Sequence, residues 1–220
     1  MNMYKWTQAT ITSIISLCVL LILLLGCGQP TESETPLPHS NIIHPAGKDD
    51  IYDLSYLKDK DPSEVDTTNL PITPTNRLSQ TGRPPKEVNI DSYRLTVSGA
   101  VNNTLDLTYQ DLLSFPTITM PALMICHGSH VDYAKWTGVQ LSLILEKAGI
   151  LDGAHEATFI ALDRYSRTLP LNVLKNEGVF IAYKVNDETI PINHGYPVRL
   201  VIKGMLGENW VKWLRQIDIK

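Results

Sequence analysis

Cys126 stands within residues 124–138 (MICHGSHVDYAKWTG), with His127 and His130 close by, and it is the one cysteine outside the N-terminal region. A thiol in such a setting has three uses: a small buried hydrophobe, a nucleophile activated by a neighbouring imidazole, or a soft metal ligand. A zinc site made from Cys126, His127 and His130 would have ligands close in sequence but no evident fourth. The apolar run 118–125 before the cysteine reads as a buried strand, and Trp136-Thr137-Gly138 leads towards an amphipathic helix. The sulfur is therefore expected at a strand-to-loop edge, where a rigid scaffold presents reactive groups.

A second group lies in the C-terminal third. His194-Gly195-Tyr196-Pro197-Val198-Arg199 is followed by Gly204, Gly207 and Trp210-Val211-Lys212-Trp213-Leu214. Glycines let backbone N–H groups approach oxygen atoms, Arg199 can grip a phosphate through two nitrogens, and Lys212 adds a point charge. The mixture suits an anionic ligand; the plainer reading is a set of surface charges at hairpin ends.

These residues need elements to hold them. Residues 93–98 alternate as a strand, and Gly99 marks a turn. Thr108-Tyr109-Gln110-Asp111 carries a capping-box pattern for a short helix that ends before Pro116. Leu141, Ile144, Leu145 and Ala148 have helical spacing, with Gly149 as a C-terminal cap. Residues 157–162, 179–185, 198–202 and 211–219 read as strands, and Asn186-Asp187 as a hairpin turn. The expected fold is α+β: a mostly β, mixed-sheet domain over residues 71–220 with short helices. Residues 71–89 form a proline-punctuated approach segment without a clear period.

The formal charge of −4 across 220 residues gives no basic surface for nucleic acid, and a hydrophobic content of 43% is enough for a substantial core. No GxGxxG or P-loop pattern supports a nucleotide cofactor. Lys5, the apolar run 11–25 and Leu24-Leu25-Gly26-Cys27 read as a lipoprotein signal peptide over residues 1–27, with Cys27 as the lipidated first residue of the mature chain. An uncleaved membrane anchor is the alternative, although the run is shorter than the ~20 residues that span a bilayer. Cys18 is lost with the segment, so Cys126 has no disulfide partner in the expected extracytoplasmic location at the cell membrane. Residues 28–70, rich in proline and acidic side chains, read as a flexible polar tether. Within it, residues 51–57 could form one helical turn that docks, and His39 and His44 read as exposed and uninvolved.

The series Cys126, Trp136-Thr137-Gly138-Val139, Leu145, Ala148-Gly149, Tyr165, Leu169-Pro170-Leu171, Ala182-Tyr183, His194-Gly195, Pro197, Arg199 and Val211-Lys212-Trp213-Leu214 resembles the molybdopterin-binding domain of the sulfite oxidase family. That family also includes assimilatory nitrate reductase and a bacterial periplasmic methionine sulfoxide reductase. Thr81-Gly82-Arg83-Pro84 is similar to the segment before the first domain strand in small bacterial members. The resemblance implies that Cys126 is the thiolate ligand of molybdenum and that the cofactor is molybdenum-molybdopterin. It places His194, Arg199, Lys212, Gly207, Val211 and His127 on the cofactor, and Tyr165 beside the substrate.

The implied reaction is oxygen-atom transfer. No CxxCH haem motif appears and no dimerisation domain is expected beyond Lys220, so electrons are expected to pass to or from a separate electron-transfer protein or membrane haem subunit. Sulfite-oxidising members carry an Asn-Arg-Arg type segment after the cysteine, whereas His127-Gly128-Ser129-His130 stands here. Among the small oxides and oxyanions that fit the reaction, a neutral oxide is therefore the better expectation. The n-region has no arginine for a twin-arginine signal, which keeps open a cofactor-free, lipid-anchored binding module on the same scaffold.

Overall fold

The computed structural model describes residues 50–220. The signal segment, Cys18, Cys27, His39, His44 and the first part of the tether lie outside the described residues. No described helix is long and apolar enough to cross a membrane.

The elements in chain order are β1 (Leu95–Gly99), β2 (Leu105–Leu107), α1 (Tyr109–Ser114), β3 (Thr117–Cys126), β4 (His130–Gln140), α2 (Leu141–Ala148), β5 (Glu156–Ala161), β6 (Ser166–Pro170), α3 (Leu171–Leu174), β7 (Val179–Val185), β8 (Glu188–Thr189), β9 (Arg199–Ile202) and β10 (Leu214–Ile219). One sheet has the order β2-β1-β10-β5-β6, with β1 and β10 parallel and the other pairs antiparallel. The second runs β3-β4-β7-β8, with β9 also paired to β7. The fold is thus mostly β with a mixed sheet and short helices, as its residues imply.

Local chemistry sets the boundaries. The Thr108 hydroxyl accepts from Asp111 N at 3.0 Å while the Asp111 carboxylate accepts from Thr108 N at 2.9 Å, closing the capping box of α1. Phe115 is extended (ψ 157°), as the residue before Pro116 must be. Gly149 ends α2 in the left-handed region at φ 68°.

The stretch 124–138 is not a loop; it is the upper half of a β3–β4 hairpin that turns through residues 127–129. Cys126 is the last residue of β3 and is paired with His130, the first residue of β4. Period-two geometry then gives the hairpin two faces. Leu123, Ile125, Val131 and Tyr133 share one, and Met124, Cys126, His130 and Asp132 share the other.

The first of these faces corrects the tether boundary. Leu54 and Leu57, just before and at the end of the 3-10 turn Ser55–Leu57, are buried against Leu123, Ile125, Val131 and Tyr133. Gly128 N donates to Lys58 O at 3.1 Å, and Thr73 N to Tyr133 O at 2.7 Å. Residues 50–80 form a strap along the cysteine hairpin rather than a solvated spacer. The docking turn within residues 51–57 is legible in the sequence; the apolar pair that anchors it is hidden among prolines and acids.

One strand boundary differs, and one strand is unexpected. The last strand begins at Leu214, because Trp213 takes a positive φ of 50° and breaks the expected run 211–219. β6 escapes sequence reading because Leu169 is its only buried side chain.

Candidate active site

A cavity of about 400 Å³ opens beside the end of β3, and Cys126, His127, Tyr165, Arg199, Gly207 and Lys212 all line it. Six of the eight expected site residues therefore meet in one place. His194 and Val211 do not line it. His194 is buried behind it, where its carbonyl accepts from Arg199 Nη1 at 3.0 Å. Val211 is fully buried and serves through its backbone carbonyl, which accepts from Leu200 N at 2.8 Å.

The thiol is positioned by glycine. A Cβ on Gly207 would stand 2.5 Å from Cys126 Sγ, so the 3-10 turn Gly207–Asn209 reaches the sulfur only because that position has no side chain. Burial raises the thiol pKa and Asp132 adds to this, while Arg199 and Lys212 pull it down. Without a metal the group is a neutral thiol; a soft cation would displace its proton.

Arg199 comes from the start of β9 and is 2% exposed. Its guanidinium lies 4.8 Å from the Trp136 ring and 5.6 Å from the Trp210 ring, and Nη2 points to Met124 Sδ at 3.6 Å. No carboxylate pairs with it among the described residues, and its Nε has no partner. Burial pushes its pKa down to about 10. Indole faces thus hold a cation in place without neutralising it.

Lys212 is built in the same way. Its Nζ lies 5.1 Å from the Trp213 ring and donates to the carbonyl of Thr81 at 2.5 Å and of Asn193 at 3.3 Å. Burial, then Arg199, pushes its pKa down to about 8. Gly195, at φ 115°, makes the turn that draws the two cations together: a Cβ there would meet Arg199 Cβ at 3.0 Å and Lys212 Cβ at 3.3 Å. His194 beneath them is pushed down to about 4, first by burial and then by the two cations, so it is neutral near pH 7.

Further groups surround the site. Ser129 Oγ lies 3.0 Å from His130 Nδ1, and His130 Nε2 is buried without a partner. Tyr165 Oη donates to the Glu208 carbonyl at 2.6 Å, tying the turn after β5 to the Gly207–Asn209 turn. Asp132, 3% exposed, is the one acid among the described buried polar side chains; it accepts from Ser79 N and Oγ at 3.0–3.1 Å and so holds the strap against β4. A signal for it exists: Met124, Cys126, His130 and Asp132 follow from period-two spacing once β4 is read as a strand. No group of three metal-ligating His, Cys, Asp or Glu side chains comes together among the described residues, which removes the zinc reading of Cys126, His127 and His130.

The donor set fits a molybdopterin group. One soft sulfur lies in a glycine-made cradle, and the same cavity carries the buried Arg199 and the half-buried Lys212, neither of them in an ion pair with a carboxylate among the described residues. Residues 81–220 match the oxidoreductase molybdopterin binding domain. The chain is 28% identical over 220 residues to mitochondrial sulfite oxidase of Macaca fascicularis, covering 86% of this chain and 40% of that one. It is 27% identical over 161 residues to the NADH nitrate reductase of Ulva prolifera, covering 58% and 19%. The sulfane dehydrogenase SoxCD from Paracoccus pantotrophus superposes with a TM-score of 0.64 at 25% identity, over 87% of this chain and 57% of that one. The chain thus spans about 40% of the length of the sulfite oxidase it matches. Motif order, cavity chemistry and the match over residues 81–220 agree, and the chain belongs to the oxidoreductase molybdopterin-binding domain family.

Proposed function

We propose that the protein is a lipid-anchored, extracytoplasmic oxidoreductase that transfers an oxygen atom between a small substrate and water, exchanging electrons with a separate redox protein. The observation that carries the catalytic reading is Arg199: a buried guanidinium without a carboxylate, in the same cavity as Cys126. A buried, unpaired cation is costly to keep, so its retention points to an anionic ligand that completes it. The cofactor-free module offers no such compensation.

In this reading Cys126 supplies the thiolate, and Arg199 and Lys212 hold the anionic end of the pterin. His194 supports Arg199 through its carbonyl, Gly207 keeps the sulfur's space clear, His127 lines the cavity, and Val211 stands behind it, bonded through its carbonyl to Leu200 N. Bound molybdenum supplies the two-electron, oxygen-atom-transfer chemistry. Tyr165, fixed through Glu208, stands at the substrate side, where Ser129 and His130 add hydrogen-bonding groups. The anchor reading rests on the apolar run 11–25 and Leu24-Leu25-Gly26-Cys27.

The test is oxidation of a reduced viologen dye by candidate oxides, using protein from its native host. Turnover that disappears in Cys126→Ser supports the reading. Equal turnover in the variant would overturn it. Labelled fatty acid should enter the full chain and be absent from Cys27→Ala.

A further inference from the structure

Four residues with charged side chains line the cavity: Arg199, Lys212, Asp163 and Glu208. The two cations are the pair that the cofactor reading assigns to the anionic end of the pterin, Arg199 buried and Lys212 half-buried. Once they are so engaged, the fixed charge left on the lining is negative. Ser129, His130 and Tyr165 add polar groups of low charge, and His127 is exposed at the edge.

Glu208 has the more telling position of the two acids. It follows Gly207, the residue whose missing side chain makes room for Cys126 Sγ, so its carboxylate sits one residue from the turn's contact with the thiol. The Tyr165 hydroxyl, bonded to the Glu208 carbonyl at 2.6 Å, pins this turn in place. The cation beside Glu208 is Arg167, with Nη2 3.4 Å from Oε1, but Arg167 Nε and Nη2 also donate to Asn209 Oδ1 at 3.3 and 3.1 Å. That guanidinium is already occupied and is not free to grip an oxyanion. Both partners of the bridge are more than a third exposed, so it neutralises Glu208 only in part.

We propose that Glu208 is a specificity-determining residue that turns the substrate side of the cavity into an anion filter, admitting uncharged or cationic oxides and excluding oxyanions such as sulfite and nitrate. The inference rests on the cofactor reading, since the filter exists only when Arg199 and Lys212 are occupied. A carboxylate at the edge of the cavity repels a like charge approaching the site, and the repulsion weakens as salt screens it. An uncharged oxide feels no such field and finds hydrogen-bonding groups in Ser129 and His130.

The test uses cofactor-loaded wild type, Glu208→Gln and Glu208→Arg. Sulfate binding is followed by the fluorescence of Trp210 and Trp213, which line the cavity, and KM is measured for sulfite and for dimethyl sulfoxide. Removing the charge is expected to tighten sulfate binding about tenfold and reversing it about a hundredfold, both effects shrinking with added salt. KM for dimethyl sulfoxide should move less than about threefold. Sulfate bound no tighter by the variants, or a wild type that prefers sulfite, would overturn the filter. Molybdenum and pterin measured on the same samples separate the two levels: a loaded protein with unchanged anion affinity sinks the filter alone, and a protein without either sinks the cofactor reading with it. Glu208 is largely solvent-facing, and Glu208→Gln keeps the test valid should Glu208→Arg fold poorly.

Discussion

Gly207 and Cys126 are packed so closely that a Cβ on the glycine would stand 2.5 Å from the thiol sulfur. That contact makes the smallest possible substitution informative. Gly207→Ala must push the sulfur or the 207–209 turn aside, at a cost of about 1–3 kcal/mol of overpacking. The expected outcome is a folded protein with at least tenfold less molybdenum per chain, measured by elemental mass spectrometry alongside a melting curve. Full metal content in the variant would show that the cradle is not needed.

Arg199 predicts a trade between stability and ligand binding. Arg199→Met replaces a buried, unpaired cation with an apolar side chain of similar length, sacrificing the two indole contacts and the bond to the His194 carbonyl. Because removing buried charge is often neutral or stabilising, cofactor-free protein should gain up to about 2 kcal/mol in denaturant unfolding. The same variant should retain no pterin. A large loss of stability without cofactor would mean that Arg199 is chiefly a structural residue.

The pH dependence of stability follows from His194, whose pKa falls from 6.5 to about 4 on folding. Between those values the unfolded chain binds a proton that the folded protein refuses, so folding stability is full above pH 6.5 and is lost as pH falls towards 4. The whole effect is at most about 3 kcal/mol. Asp132 works in the opposite sense at the acid end, because burial raises its pKa and the folded protein takes up its proton first. His194→Asn should therefore flatten the stability profile between pH 6.5 and 4 in cofactor-free protein. An unchanged slope would assign the acid sensitivity elsewhere.

The strap gives a prediction outside the 81–220 match. Leu54 is 2% exposed and packs on the back of the cysteine hairpin. Leu54→Ala should cost about 2–4 kcal/mol. Hydrogen exchange at Gly128, whose N–H donates to Lys58 O, should quicken with it. Neither change would appear if residues 50–70 were a free tether.

Much of this architecture is legible in the amino-acid sequence. Helix α1 announces itself by a capping box, α2 by apolar spacing and a terminal glycine, and the cationic group by its glycines. The β3–β4 hairpin is obscured because β4 is buried on both faces, against the strap on one side and the main core on the other, so it lacks the alternation of a half-buried strand. Glu208 is invisible as a site residue in the sequence, since a single acid in a polar segment looks like ordinary surface until the fold places it near a thiol, and Asp132 emerges only once β4 is read as a strand. The residue types around His194 suggest a ligand-facing cation, and it proves to be a neutral support, because only burial reveals which side of the cavity wall a residue occupies.

The account stands most directly on what the purified protein carries. Recovered from its native host, the wild type should hold close to one molybdenum and one pterin per chain, with both depleted in Arg199→Met and the metal lost in Cys126→Ser. A folded wild type, purified without chelators, that contains neither molybdenum nor pterin would contradict it.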